Sequence, residues 1–124
     1  MLTHNTIRHI ILLKKGDYMT FQLGSGLLDA CVLATLHKED TYGYKLTQEV
    51  KVVMSVSEST LYPVLRRLMK DGYLATYDQE HLGRNRRYYR LTDMGKEKYE
   101  EYVSQWEEFS LKVTTILKGG SLDE

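Results

Sequence analysis

Cysteine is almost missing from this chain of 124 residues, and Cys31 stands alone. A lone cysteine excludes an intramolecular disulfide framework and fits a reducing compartment, hence an expected cytoplasmic location. Proline is equally scarce, with Pro63 the single example, so little in the sequence interrupts helices. Net charge is absent too: 17 basic side chains balance 17 acidic ones, which excludes a uniformly basic, histone-like chain. There is no run of about 18 apolar residues, so no membrane span is expected. His4, His9, His37 and His81 are scattered without ligand spacing, and no metal site is expected. No nucleophile–base motif and no phosphate-binding glycine loop occurs. Neither an enzyme nor a cofactor is therefore expected.

What is present suffices for one small domain with an appended helix. Apolar residues make up 42% of the chain, including ten tyrosines. The balanced charge hides a division. Residues 57–92 carry seven basic and four acidic side chains, while residues 93–124 carry four basic and eight acidic. Arg84, Arg86, Arg87 and Arg90 crowd into one stretch with no acid among them. A basic centre beside an acidic tail suits a DNA binder with a separate assembly element.

Residues 1–18 are too short in their apolar part, and lack a small-residue cleavage site, for a signal peptide. An added amphipathic helix is one reading. The other is that Lys14-Lys15-Gly16-Asp17, just before Met19, is translated from a purine-rich ribosome-binding sequence. On that reading Met19 is the natural start and residues 1–18 are a mis-annotated or flexible extension, which the intact mass of the natively expressed protein would decide.

A first helix is predicted from about Ser25 to His37. It is apolar nearly all round through Leu27, Leu28, Cys31, Val32, Leu33 and Leu36, which points to a partner subunit on one side. Cys31 reads as a buried small apolar residue. Thr41-Tyr42-Gly43-Tyr44 breaks the pattern. A second helix follows from Tyr44 to about Met54, with Leu46, Val50 and Val53 at helical spacing. Ser57 caps a third helix whose inward stripe is Leu61, Leu65 and Leu68, and Gly72 stops it. Pro63 inside this helix predicts a small bend. Tyr73–Tyr77 and Arg86–Leu91 read as the strands of a hairpin with a turn at 82–85. Thr92 and Asp93 open a last helix to about Lys118, which Gly119-Gly120 end. The fold class is mainly α with a small β-hairpin: a winged helix-turn-helix plus a long C-terminal dimerisation helix. The expected organisation is an extension at 1–18, a winged domain at 19–92, a dimerisation helix at 93–118 and a flexible tail at 119–124.

Reading DNA requires donors, positive charge and short side chains on an exposed helix face. With the leucines turned inward, the third helix offers Ser59, Tyr62, Pro63, Arg66 and Arg67 outward, and Ser57, Glu58 and Thr60 at its N-terminal end. On the hairpin, alternation places Arg84, Arg86, Tyr88 and Arg90 on one face and Arg87, Tyr89 and Leu91 on the other. Arg84 and Arg86 are expected at the wing tip, on a minor groove or on phosphate. In the last helix, Tyr99, Tyr102, Trp106, Phe109, Val113 and Ile116 alternate steps of three and four, an a/d seam of about three heptads. With Leu27 and Leu28 of the first helix they form the expected dimer interface. Trp106 and Phe109 fill it or leave room for a planar aromatic ligand.

Several stretches closely resemble the PadR family of bacterial transcriptional regulators: Phe21–Asp29, Tyr42-Gly43-Tyr44-Lys45-Leu46, Ser57–Leu68 with its Thr60-Leu61-Tyr62-Pro63, Asp71-Gly72-Tyr73-Leu74, and Arg86–Lys96. The similarity covers about residues 20–118. It implies a homodimeric winged-helix repressor of the short-tailed branch, acting on its own operon or on stress, efflux or envelope genes. By position, Ser59, Thr60, Tyr62, Pro63 and Arg66 fall on the DNA-reading helix, with Ser59 where many relatives carry glycine. Tyr44 and Lys45 fall near phosphate at the start of the supporting helix, and Arg84 and Arg86 at the wing tip. The implied partners are double-stranded DNA with a pseudo-palindromic operator, a second copy of the chain, and a small planar aromatic effector at Trp106. A winged-helix adaptor that binds protein rather than DNA is the alternative.

Overall fold

The computed structural model describes residues 25–121. Residues 1–18, with the start-site expectation, lie outside the described residues. The elements follow in the order α1 (Ser25–Lys38), β1 (Thr41–Tyr42), α2 (Gly43–Lys51), α3 (Glu58–Lys70), β2 (Leu74–His81), β3 (Arg84–Leu91) and α4 (Asp93–Leu117). The strands form one antiparallel sheet in the order β1-β3-β2. One compact unit spans these elements as far as Tyr99.

Its core is built from branched aliphatic residues. Val32, Leu33 and Leu36 of α1, Leu46 and Val50 of α2, and Leu61, Leu65 and Leu68 of α3 are buried together with Leu74, Tyr89 and Leu91 of the sheet. Burial on this scale drives the folding of a chain this small, at about 25 cal/mol per Å² of apolar surface. The predicted stripe of α3 is therefore the core stripe.

Local signals set the ends of α3. Ser57 is extended, and its Oγ accepts a hydrogen bond from the Thr60 amide at 3.3 Å, closing the N-terminus. At the other end Gly72 takes a φ of +85°. The Gly72 amide donates to Met69 O and the Tyr73 amide to Leu68 O, the paired bonds of a glycine stop. The Thr92 hydroxyl then donates to Gly72 O at 2.6 Å and accepts from the Gly95 amide at 3.0 Å. One side chain thus joins the end of α3 to the start of α4. The first turns of α4 belong to the same unit. Tyr99 stacks on His37 of α1 at 4.2 Å, and the Lys98 ammonium lies 5.7 Å from the Tyr73 ring.

Three features differ from the sequence reading. The second helix ends at Lys51 rather than Met54. The Val53 amide bonds Val50 O three residues back, which tightens the last turn and carries Val53 off the stripe to 70% exposure. Thr41-Tyr42 is a third strand, paired with Tyr88 and Tyr89. The hairpin is longer than expected: His81 pairs with Arg84, leaving only Leu82 and Gly83 in the turn.

A second unit contains residues 100–121, the continuing turns of α4 and the residues after it. There Glu108 is buried with Lys112 3.0 Å away, while Val103, Trp106, Leu111, Val113, Ile116 and Leu117 are exposed. Among the described residues no helix is long and apolar enough to cross a membrane.

Candidate nucleic-acid interface

The N-terminal end of α3 is a small cluster of hydroxyls. Ser57 Oγ lies 2.8 Å from Ser59 Oγ and 3.2 Å from Thr60 Oγ1, and all three residues are exposed. Beyond them Pro63 and Arg66 are exposed on the face opposite the buried leucines. This is the face that the leucine spacing predicts. Hydroxyls and a guanidinium there can donate to base edges or phosphate.

Arg67 departs from that expectation. It pairs with the nearly buried carboxylate of Asp29 on α1 at 2.5 Å. Arg67 therefore fastens the helix to the core. A lone sequence cannot foresee this, because the partner lies 38 residues away.

Tyr62 is half-buried and turned toward the start of α2. A Cβ added at Gly43 would meet the Tyr62 hydroxyl at 2.9 Å, so glycine is what lets the ring approach. Burial raises the Tyr62 phenol above its ordinary value, and the Glu58 charge adds to the rise. Helix α2 itself starts without a side-chain cap. Its first amides are thus left to water or to an incoming acceptor. Tyr44 in its first turn is 56% exposed. Lys45 pairs with Glu39 at 3.2 Å, and the hydrogen bond to Glu39 holds its ammonium above the ordinary value. Both partners are exposed, so this pair is readily exchanged for another anion.

The sheet supplies the opposite wall. Tyr89 and Leu91 are buried together, on the one face that alternation gives them, and Tyr88 lies on the other face between Tyr77 at 5.4 Å and Tyr42 at 5.6 Å. Arg84 is exposed beside the turn, where the sequence placed it. Arg86 is not at the tip. Its guanidinium sits 4.5 Å over the Tyr42 ring, and its Nε is buried without a hydrogen-bond partner. Arg87 is exposed, with Asp78 at 3.7 Å. Tyr89 has its phenol raised by burial, with the positive charges of Arg87 and Arg66 pulling the other way.

Between these walls lies a cleft of about 240 Å³, lined by Tyr42, Gly43, Tyr44, Tyr62, Arg86, Arg87 and Tyr89. Phenols, guanidinium groups and helix-start amides suit an anionic group such as a phosphate. Sequence reasoning missed Tyr42, Arg87 and Tyr89 here. A two-residue strand has no periodicity to read, and alternation places Arg87 with Tyr89 and Leu91, opposite the face of Arg84 and Arg86.

Of the residues expected at a dimer interface, Leu28 is buried in the chain's own core and Leu27 is half-buried in α1. Tyr99 is engaged with His37. In the second unit Tyr102 and Phe109 are half-buried, Trp106 is 42% exposed, Val113 is exposed, and Ile116 is 61% exposed. The Trp106 and Phe109 rings lie 6.2 Å apart, tilted by 40°. Cys31 is half-buried rather than fully buried as the sequence suggests, and that burial raises its thiol. Among the described residues no three His, Cys, Asp or Glu side chains gather as metal ligands do.

Comparisons with known proteins converge. The transcriptional regulator PadR-like family matches residues 32–101. A Streptococcus mutans protein of known structure, smu.1704, is 38% identical, with a TM-score of 0.78, over 84% of this chain and 98% of that one. A PadR-like transcriptional regulator of Bacillus cereus is 34% identical, with a TM-score of 0.72, over 76% of this chain and 94% of that one. PadR of Bacillus subtilis, solved in complex with operator DNA, is 26% identical, with a TM-score of 0.56, over 62% of this chain and 45% of that one. The family match and the two closer structures agree with the residue motifs and the winged-helix architecture, and this chain belongs to the PadR-like family of transcriptional regulators.

Proposed function

We propose that this chain is a homodimeric, sequence-specific DNA-binding repressor. The observation that carries the proposal is the pairing of an exposed hydroxyl and arginine face on α3 with an arginine-rich β3 beside it. Ser59, Thr60, Pro63 and Arg66 enter the major groove and meet base edges, with Ser57 holding the helix start. Tyr44, Lys45 and Tyr62, together with Arg86 and Arg87, receive a backbone phosphate in the cleft. Arg84 carries the wing to the adjacent minor groove. The operator DNA bound by the Bacillus subtilis relative supports the choice of partner.

The exposed apolar side chains of α4 supply the dimer seam, chiefly Trp106, Val113 and Ile116 with Tyr102 and Phe109 beside them. A two-fold dimer then calls for a pseudo-palindromic operator with half-site centres about 34 Å apart. A planar aromatic effector that binds between Trp106 and its counterpart acts as an inducer only by preferring the DNA-free dimer. Indole quenching coupled to loss of DNA binding across a panel of such compounds tests that step.

The deciding experiment is an electrophoretic shift on the DNA upstream of the chain's own gene, against random competitor and across a salt series. A discrete, competitor-resistant shift is expected. Should neither that DNA nor duplexes selected from a random pool bind specifically, the repressor proposal fails. A protein-binding adaptor then becomes the better account, consistent with the zero net charge and the acidic C-terminal segment.

A further inference from the structure

The tip of the wing breaks two local rules at once. Leu82 and Gly83 are the central residues of a two-residue hairpin turn and have φ values of +52° and +79°. Two positive φ angles define the turn type that favours Asn-Gly or Gly-Gly. Glycine at the second position fits. Leucine at the first does not, because its Cβ crowds the backbone in this conformation. Leu82 is the one non-glycine residue with positive φ among the described residues. It is also 87% exposed, so its apolar side chain gains nothing from burial in the chain. A residue costly to the backbone and idle in the core calls for a use outside the fold.

The neighbours of Leu82 indicate that use. Arg84 follows two residues on and is exposed, and Arg86, Arg87 and Arg90 continue along the same strand. An apolar side chain at the tip of an arginine-rich hairpin fits the minor groove of DNA, where apolar wedges and arginines act together. We infer that Leu82 is a specificity-determining residue that reads A·T against G·C pairs in the minor groove beside the recognition-helix site. This rests on the DNA-binding function proposed above. The chemistry is one of exclusion. The guanine N2 amine projects into the minor groove as a donor, and at that position an A·T pair carries only a hydrogen, the N3 and O2 acceptors being common to both pairs. A leucine cannot accept from that amine, so seating it against G·C strands a desolvated donor. Against A·T the leucine meets a smooth floor, and Arg84 finds the stronger negative potential of a narrow groove.

The test uses the full chain, a duplex that it selects from a random pool, and the variants Leu82→Asn and Leu82→Gly. Both replacements tolerate the left-handed conformation, so both are expected to melt a few degrees above the parent. The same variants are expected to bind the selected duplex about fivefold or more weakly. Replacing adenines by 2,6-diaminopurine in the segment flanking the recognition-helix site adds the N2 amine and leaves the major-groove edge unchanged. That change is expected to weaken the parent by a similar factor and to leave the variants within about twofold. Parent-like affinity in the variants, or equal sensitivity of parent and variants to diaminopurine, overturns the inference. Variants that melt below the parent overturn its premise that the turn is strained. If the parent selects no sequence at all, the DNA-binding proposal itself falls, and the parent's own failure to select marks that outcome.

Discussion

Helix α3 and the outer turns of α4 are both striped with large apolar side chains, yet the stripes have opposite fates. On α3, Leu61, Leu65 and Leu68 are buried, and the residues between them carry hydroxyls and guanidinium groups outward. On α4 beyond Tyr99, Trp106, Val113 and Ile116 remain exposed, with Leu111 and Leu117 beside them. Periodicity alone does not distinguish the two, because it reports that a face is apolar and not what covers it. The α3 stripe completes a core within the chain. The α4 stripe keeps much of its apolar surface exposed, and in the proposed dimer a second copy lies on it.

The comparison breaks most sharply under truncation of α3. Leu65→Ala is expected to cost about 2–5 kcal/mol of folding stability, read by urea denaturation, because it opens a cavity in a closed core. A much smaller loss would mean that α3 is not the keystone of the winged unit. Charging the α4 stripe tests the other side. Trp106→Glu with Ile116→Glu is expected to leave the winged unit folded and to yield monomers in analytical ultracentrifugation. Operator affinity should fall about a hundredfold as the two half-sites lose their linkage. A variant that stays dimeric would move the interface elsewhere.

Arg66 and Arg67 sharpen the contrast within α3 itself. Arg66→Ala is expected to weaken operator binding by about 1–3 kcal/mol with little change in stability if it reads a base. If it touches only phosphate, all sequences weaken together and the salt dependence becomes shallower. Arg67→Ala is expected to lower stability by about 1 kcal/mol or more, because the buried Asp29 carboxylate loses a charged partner. Swapped outcomes would reverse the assignments of these two neighbours.

The smallest effect is the one from pH. Tyr62 and Tyr89 both have phenols raised above the ordinary 10.0, chiefly by burial. The folded state therefore holds these protons more tightly than the unfolded chain does. Stability is expected to be flat through neutral pH and to fall as pH rises above about 10, where the unfolded chain ionises first. Tyr89→Phe should flatten that decline in denaturation midpoints measured across the alkaline range.

Much of the winged unit was legible in the sequence because its boundaries are chemically marked. Ser57 opens α3, Gly72 ends it, and Thr92 opens α4, each through a hydrogen bond or backbone angle that few other residues supply. The exposed hydroxyl and arginine face followed from the leucine spacing. What escaped depended on distant partners or very short elements. Strand β1 has two residues, and its pairing depends on Tyr88 and Tyr89, far along the chain. Arg67 looked like its neighbour Arg66 until α1 supplied Asp29. Sequence places Arg86 at the wing tip, but the tyrosine that holds it lies 44 positions earlier. Val53 kept helical spacing with Val50, but a tighter last turn rotated it out of the stripe.

Beyond Tyr99, helix α4 carries its exposed stripe on to Leu117. A continuous helix transmits angular phase as well as length. One residue inserted between Trp106 and Val113 would turn Val113 and Ile116 by about 100° away from Trp106, whereas seven would restore them to within about 20°. The stripe beyond Tyr99 therefore tolerates added heptads but not single added residues, much as a thread keeps its line only over whole turns.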